Sequence, residues 1–132
     1  MTTIATRSPR SKPRRKTKSP AQTLLAQAEK ILEDGKAEDL VTIDLQGKSD
    51  IADYLLIATG RSQRQVMALA QRLLEGLKTA GHGKIAAEGL RHGEWVLVDA
   101  GDVVIHLFRP ETRAYYNIEK MWGEALSEAV GS

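Results

Sequence analysis

The chain has no cysteine, which excludes disulfide bridges and thiolate metal sites and fits a reducing compartment. It also lacks any apolar run near the roughly 20 residues that a membrane-spanning helix needs, so a soluble, cytoplasmic protein is expected. Histidine is scarce: His82, His92 and His106 are all there are. With no cysteine and no serine in a nucleophile-elbow context, a hydrolytic triad finds no support. Only six residues are aromatic, yet Trp95, Phe108, Tyr115, Tyr116 and Trp122 crowd into the last third. Tyrosine and tryptophan supply large, rigid contact area with a polar tip, so this crowding marks either an interface or a core.

Acidic residues are missing from one region altogether. Arg7, Arg10, Lys12, Arg14, Arg15, Lys16 and Lys18 precede Pro20 with no Asp or Glu among them; the remainder holds twelve basic residues against all seventeen acidic ones, a net −5. Residues 1–19 therefore read as a disordered basic tail, too poor in large apolar side chains to order itself. Such a tail is a solvated appendage, an arm that follows RNA phosphates by counterion release, or an organellar transit peptide, though Pro9, Pro13 and Pro20 spoil the amphipathic helix of the last. Residues 20–129 are long enough for one domain with a real core and too short for two.

Within that domain, Ser19-Pro20 starts a helix as N-cap and first turn, with Gln22 placed to complete a capping box. Leu24, Leu25, Ala28, Ile31 and Leu32 recur at helical spacing up to about Asp34, and Gly35 follows as a stop. Asp39 to Leu45 and Asp53 to Thr59 are rich in β-branched and aliphatic residues and predict two strands around the turn-forming Gln46-Gly47-Lys48-Ser49-Asp50. Gly60-Arg61-Ser62 opens a second helix striped by Val66, Leu69, Ala70, Leu73 and Leu77 and ended by Gly81 and Gly83. A weak strand near Lys84 to Ala87 leads to a hairpin, and Pro110-Glu111 starts a helical region that breaks at Asn117 before Met121, Trp122 and Ala125 pack its last turns. The order predicts a single α/β domain, a mixed sheet of about five strands flanked by helices.

The hairpin, Glu94 to Phe108, carries the most information. If Ala100-Gly101 is the turn, Asp99 faces Asp102, Leu97 faces Val104 and Trp95 faces His106, while a bulge at Gly101 would shift partners by one. Val96, Val98, Val103, Ile105 and Leu107 form a purely aliphatic face, the core side. Like charges directly across a ladder are unfavourable, so stability alone would not select Asp99 and Asp102. The other face is built to touch something.

Two chemistries fail on spacing. Gly47-Lys48-Ser49 imitates the end of a phosphate-binding loop, but Thr42 stands where its first glycine belongs and no helix follows, so a strand-connecting turn is expected. Asp99, Asp102 and His106 offer oxygen and nitrogen ligands for a divalent metal, yet His106 lies four residues along a strand from Asp102, about 13 Å, too far to share one ion. No metal or cofactor is expected.

A set of short motifs gives the chain a family likeness. These are Asp44-Leu45-Gln46-Gly47-Lys48-Ser49, Ala52-Asp53-Tyr54, Ala58-Thr59-Gly60-Arg61-Ser62, Arg64-Gln65-Val66, Glu88-Gly89, Trp95 to Asp99, Gly101 to Phe108, and Arg113, Tyr116, Glu119 and Trp122. In this order and spacing the chain resembles the ribosomal silencing factor S (Iojap-related) family from about Ala21 to Ala125. The resemblance implies a nucleotidyltransferase-like fold without that activity: Gly60-Arg61-Ser62 replaces an adjacent Gly-Ser, and the paired acids are split by the hairpin turn. It implies binding to the large ribosomal subunit through ribosomal protein L-fourteen and steric exclusion of the small subunit, repressing translation under nutrient limitation. The partner-binding residues expected on this basis are Trp95, Asp102, His106, Phe108, Arg113, Tyr116 and Glu119. Asp53, Tyr54, Gly60 and Ser62 match the family for folding as much as for binding. Alternatives are a metal-dependent nucleotidyltransferase-like enzyme and a large-subunit assembly factor; ribosomal RNA, contacted by the tail, and a second copy of the chain are further candidate partners.

Overall fold

A computed structural model describes residues 19–121, which form α1 (Pro20–Asp34), β1 (Glu38–Asp44), β2 (Tyr54–Thr59), α2 (Gln63–Thr79), β3 (Ala86–Glu88), β4 (Trp95–Asp99), β5 (Val103–Phe108) and α3 (Pro110–Tyr116). The expected capping box opens α1: the Ser19 hydroxyl accepts from the Gln22 N–H at 3.2 Å, and the Gln22 side chain accepts from the Ser19 N–H at 3.0 Å. The Ser62 hydroxyl caps α2 by accepting from the Gln65 N–H at 3.1 Å, while the Gln65 side chain accepts from the Arg61 N–H at 2.7 Å. Asn117, in the left-handed conformation, ends α3 where a break was expected.

The five strands make one mixed sheet in the order β1-β2-β5-β4-β3, with β2 and β5 parallel at its centre. Both faces of β2 are covered, so its six residues are buried without exception and its sequence, Tyr-Leu-Leu-Ile-Ala-Thr, does not alternate. Helices α1 and α2 pack on one face. Their Leu24, Leu32, Val66, Leu69 and Leu73 meet Leu56, Val96, Val98, Val103, Ile105 and Leu107 in the main core, which takes in the whole expected aliphatic face of the hairpin. On the opposite face a smaller cluster of Leu45, Leu55, Ile57, Phe108 and Ile118 is ringed by the part-buried Ile43, Trp95 and Val104.

The hairpin register differs from expectation by two residues. Asp99 faces Val104, Leu97 faces His106 and Trp95 faces Phe108, so each partner lies two places further along β5. A two-residue shift preserves the side-chain faces, and only the pairing changes. Asp102 leaves the hairpin ladder because its carbonyl accepts from the Asp53 N–H at 2.8 Å and the Tyr54 N–H at 3.1 Å, tying the loop to β2. The Asp99 carboxylate closes the loop by accepting from the Gly101 N–H at 2.9 Å, and Gly101 takes a φ of 85°. The like-charged Asp99/Asp102 cross-strand pair therefore does not form. Two smaller differences follow: the weak strand runs Ala86–Glu88, and Met121 is 57% exposed where packing was expected. Trp122, Ala125 and the basic tail lie outside the described residues.

Candidate partner-binding surface

At the far end of the hairpin from its turn, β4 begins and β5 ends, and the second face of the sheet presents its aromatic residues together. Trp95 is flanked by Phe108, with ring centroids 5.0 Å apart, and by Tyr116 of α3 at 4.7 Å. His106 stacks nearly parallel on Phe108 at 5.9 Å. Beyond Tyr116, Tyr115 meets its ring edge-on at 4.9 Å and is 81% exposed. The result is a continuous row of rings running from a buried floor, Phe108, through the half-buried Trp95 to the solvent-facing Tyr116 and Tyr115.

Trp95 and His106 are locked together on the diagonal of the ladder, the Trp95 indole Nε1–H donating to His106 Nδ1 at 2.9 Å. That nitrogen must stay unprotonated for the bond to exist. Burial acts in the same direction, holding the imidazole pKa down to about 4. Because the unfolded histidine takes up its proton near pH 6.5, this group's stabilisation is complete above that value and falls away as pH drops towards 4. We expect about 2 kcal/mol of stability to disappear between pH 7 and pH 4, less than the full shift implies because the ring is partly solvated. Urea unfolding of His106→Gln should show this upper part of the acid limb flattened. A variant whose stability falls between pH 6.5 and 5 as steeply as the parent's would remove His106 as the cause.

The α3 side of the surface is polar. Glu94 accepts from Gln63 Nε2 at 2.9 Å, from Arg109 Nη1 at 3.3 Å and from the Thr112 hydroxyl at 3.3 Å, and these donors, Gln63 foremost, hold its carboxyl below the usual pKa. Arg109 also pairs with Glu111 at 3.2 Å. A shallow pocket of about 450 Å³ lies here, lined by Glu94, Trp95, Glu111, Thr112, Tyr115 and Tyr116. Its two carboxylates outnumber the single adjacent Arg109.

Of the seven residues expected to meet a partner, Trp95, His106 and Tyr116 share this surface. Phe108 supports it from below and has no exposed area of its own. Arg113 and Glu119 pair with each other at 2.7 Å, and the Arg113 guanidinium holds the Glu119 carboxyl below its usual pKa. Asp102 stands apart, exposed at the hairpin turn about 20 Å from Phe108 by strand rise. Sequence reasoning did not place Glu94, Glu111 and Thr112, whose only signal was position: Glu94 precedes Trp95, and Glu111 and Thr112 stand one helical turn before Tyr115 and Tyr116. Among the described residues no three His, Asp or Glu side chains are grouped so as to hold a metal ion. Nor does any helix there have the length and apolarity to cross a membrane.

The family model described as "Ribosomal silencing factor during starvation" matches residues 17–131. The chain is 55% identical over 92 residues to the ribosomal silencing factor RsfS of Zymomonas mobilis, a match covering 70% of this chain and 69% of that one. A crystal structure of a Chromobacterium violaceum protein superposes with a TM-score of 0.76 at 43% identity, over 80% of this chain and 88% of the other. Further away, the Mus musculus protein called mitochondrial assembly of ribosomal large subunit protein 1 is 34% identical over 95 residues, 70% of this chain and 42% of that protein. With nearly its whole length matched by the family model, the chain belongs to the RsfS family of ribosomal silencing factors.

Proposed function

We propose that the protein binds the large ribosomal subunit through ribosomal protein L-fourteen and, by its bulk, keeps the small subunit from joining, lowering translation when nutrients run short. The observation that carries this reading is the row of rings ending in Tyr116 and Tyr115, a rigid aromatic platform left open to solvent at 51% and 81% exposure. Aromatic residues seated on a packed base are the usual hot spots of protein interfaces. Glu94 and Glu111 beside them favour a basic partner, as ribosomal proteins are, by steering encounter and fixing orientation. Trp95, His106 and Tyr116 are the proposed direct contacts, joined by Tyr115; the basic tail adds contact with ribosomal RNA. Occupancy suffices, because a standard interface of roughly 1,600 Å² excludes any other partner from the same place. The protein acts without catalysis, in the cytoplasm.

Sedimentation of purified subunits tests the reading. Added to mature large subunits, the protein should lower the yield of joined ribosomes, and Tyr116→Ala should weaken binding by 2 kcal/mol or more, on the order of a hot spot, at unchanged helicity. The mouse relative's name favours a second reading, an assembly factor for the large subunit. On that reading the protein binds immature particles and leaves the joining of mature subunits unaffected. A third, enzymatic reading requires magnesium and a nucleotide to raise the melting temperature, and no such rise is expected.

A further inference from the structure

We infer that Arg113 is a positioning residue: it latches α3 onto the ends of β1 and β2 and thereby holds Tyr116 in the pose a partner reads. This rests on the docking role given to Tyr116 above.

Helix α3 needs such a latch. Seven residues are too few for a helix to be stable alone, no residue of α3 is buried, and its N-cap residue, Arg109, makes no side-chain capping bond. Arg113 supplies what packing does not. Its side chain is only 13% exposed. Nε donates to Glu119 Oε1 at 2.7 Å, while Nη1 donates to the Asp39 carbonyl and to the Thr59 hydroxyl, each at 2.7 Å. Three of the five guanidinium N–H groups are thus committed inside the molecule.

The acceptors are themselves held in place. Asp39 has a φ of 50°, a left-handed conformation costly for a residue with a side chain, at the point where the β1 register shifts against β2. Strain of that kind persists where surrounding contacts over-determine it, and the Arg113 bond to the Asp39 carbonyl is one of them. Thr59 is the one buried polar residue among the described core positions, and Arg113 satisfies its hydroxyl. Loss of the guanidinium would leave that hydroxyl buried without a partner. Tyr116 follows Arg113 by three residues, so the two sit on neighbouring positions of one helix face, and a shift of α3 moves the Tyr116 ring off Trp95.

The test measures binding of full-length variants to purified large subunits, alongside hydrogen exchange of the amides of residues 110–117 and far-UV circular dichroism. Tyr116→Ala should bind about 30-fold more weakly and Arg113→Ala about tenfold more weakly. The double variant should be no weaker than about 30-fold, because a residue acting through Tyr116 has nothing left to position. Arg113→Lys keeps the charge but not the planar fork, so it should resemble Arg113→Ala, with faster exchange in α3. Thr59→Val, which removes one acceptor and leaves the surface intact, should lower affinity about threefold with the same local exchange signature. A multiplicative loss in the double variant, on the order of 300-fold, or full rescue by Arg113→Lys, would mean that Arg113 meets the partner itself and overturns the inference. Loosened α3 with unchanged binding by Arg113→Ala overturns it too, yet leaves the Tyr116 docking reading standing. Unweakened binding by Tyr116→Ala removes the docking reading, and the positioning role with it.

Discussion

Phe108→Ala should lower folding stability by about 3–5 kcal/mol, the range for truncating a fully buried phenylalanine. Phe108 has no exposed surface and sits in the cluster with Leu45, Leu55, Ile57 and Ile118. Removing its ring opens a cavity beneath Trp95, 5.0 Å away, and takes the stacking partner from His106. The neighbours cannot collapse into that space, because the β5 backbone there is fixed by parallel pairing with β2 and by the Gly60 N–H bond to the Phe108 carbonyl at 2.9 Å. Urea titration should therefore show a lower midpoint, with the near-ultraviolet signal of Trp95 weakened even in the folded variant. Phe108→Leu, which keeps much of the volume, should cost less than half as much. The decisive comparison is with ribosome binding. If Phe108→Ala proved as stable as the parent yet bound poorly, Phe108 would be a direct contact and the buried-floor assignment would fall.

Sequence periodicity carried the faces of the fold further than their pairing. Alternation along β4 and β5 set Val96, Val98, Val103, Ile105 and Leu107 on the core side, and all are fully buried. The register was out of reach because it is decided by a distant bond: the Asp102 carbonyl serves the N–H groups of Asp53 and Tyr54, about fifty residues earlier. The same distinction runs through the binding surface. Trp95, His106 and Tyr116 were legible as aromatic and polar groups near one hairpin. Arg113 and Glu119 were expected among the partner-binding residues, since in sequence a charge that faces a partner and one that faces Asp39 and Thr59 are written alike. Phe108 alternates in phase with Trp95 and shares its face; Leu45, Leu55 and Ile57, which pack on it, belong to the predicted strands, whereas Ile118 comes from a segment with no periodic signal of its own.

Gly89→Ala should cost about 3–4 kcal/mol, a severe loss for a single added methyl group and one that reaches the binding surface through the backbone. Gly89 has a φ of 89°, a conformation glycine adopts freely and alanine does not. A Cβ there would lie 2.2 Å from the Trp95 carbonyl oxygen, a backbone atom that cannot rotate aside. Relief would require β4 to move away from the β3 end of the sheet, and Trp95, the first residue of β4, would move with it. Gly101→Ala is the matched control, because its φ of 85° imposes nearly the same conformational cost while its Cβ would meet nothing within 4 Å. That variant should lose only about 1 kcal/mol. The difference in urea midpoint between the two separates close approach from backbone preference, provided the denaturant dependence is unchanged. Equal losses would mean that β4 yields without penalty, and then Trp95 could not be the rigid seat on which Tyr116 rests.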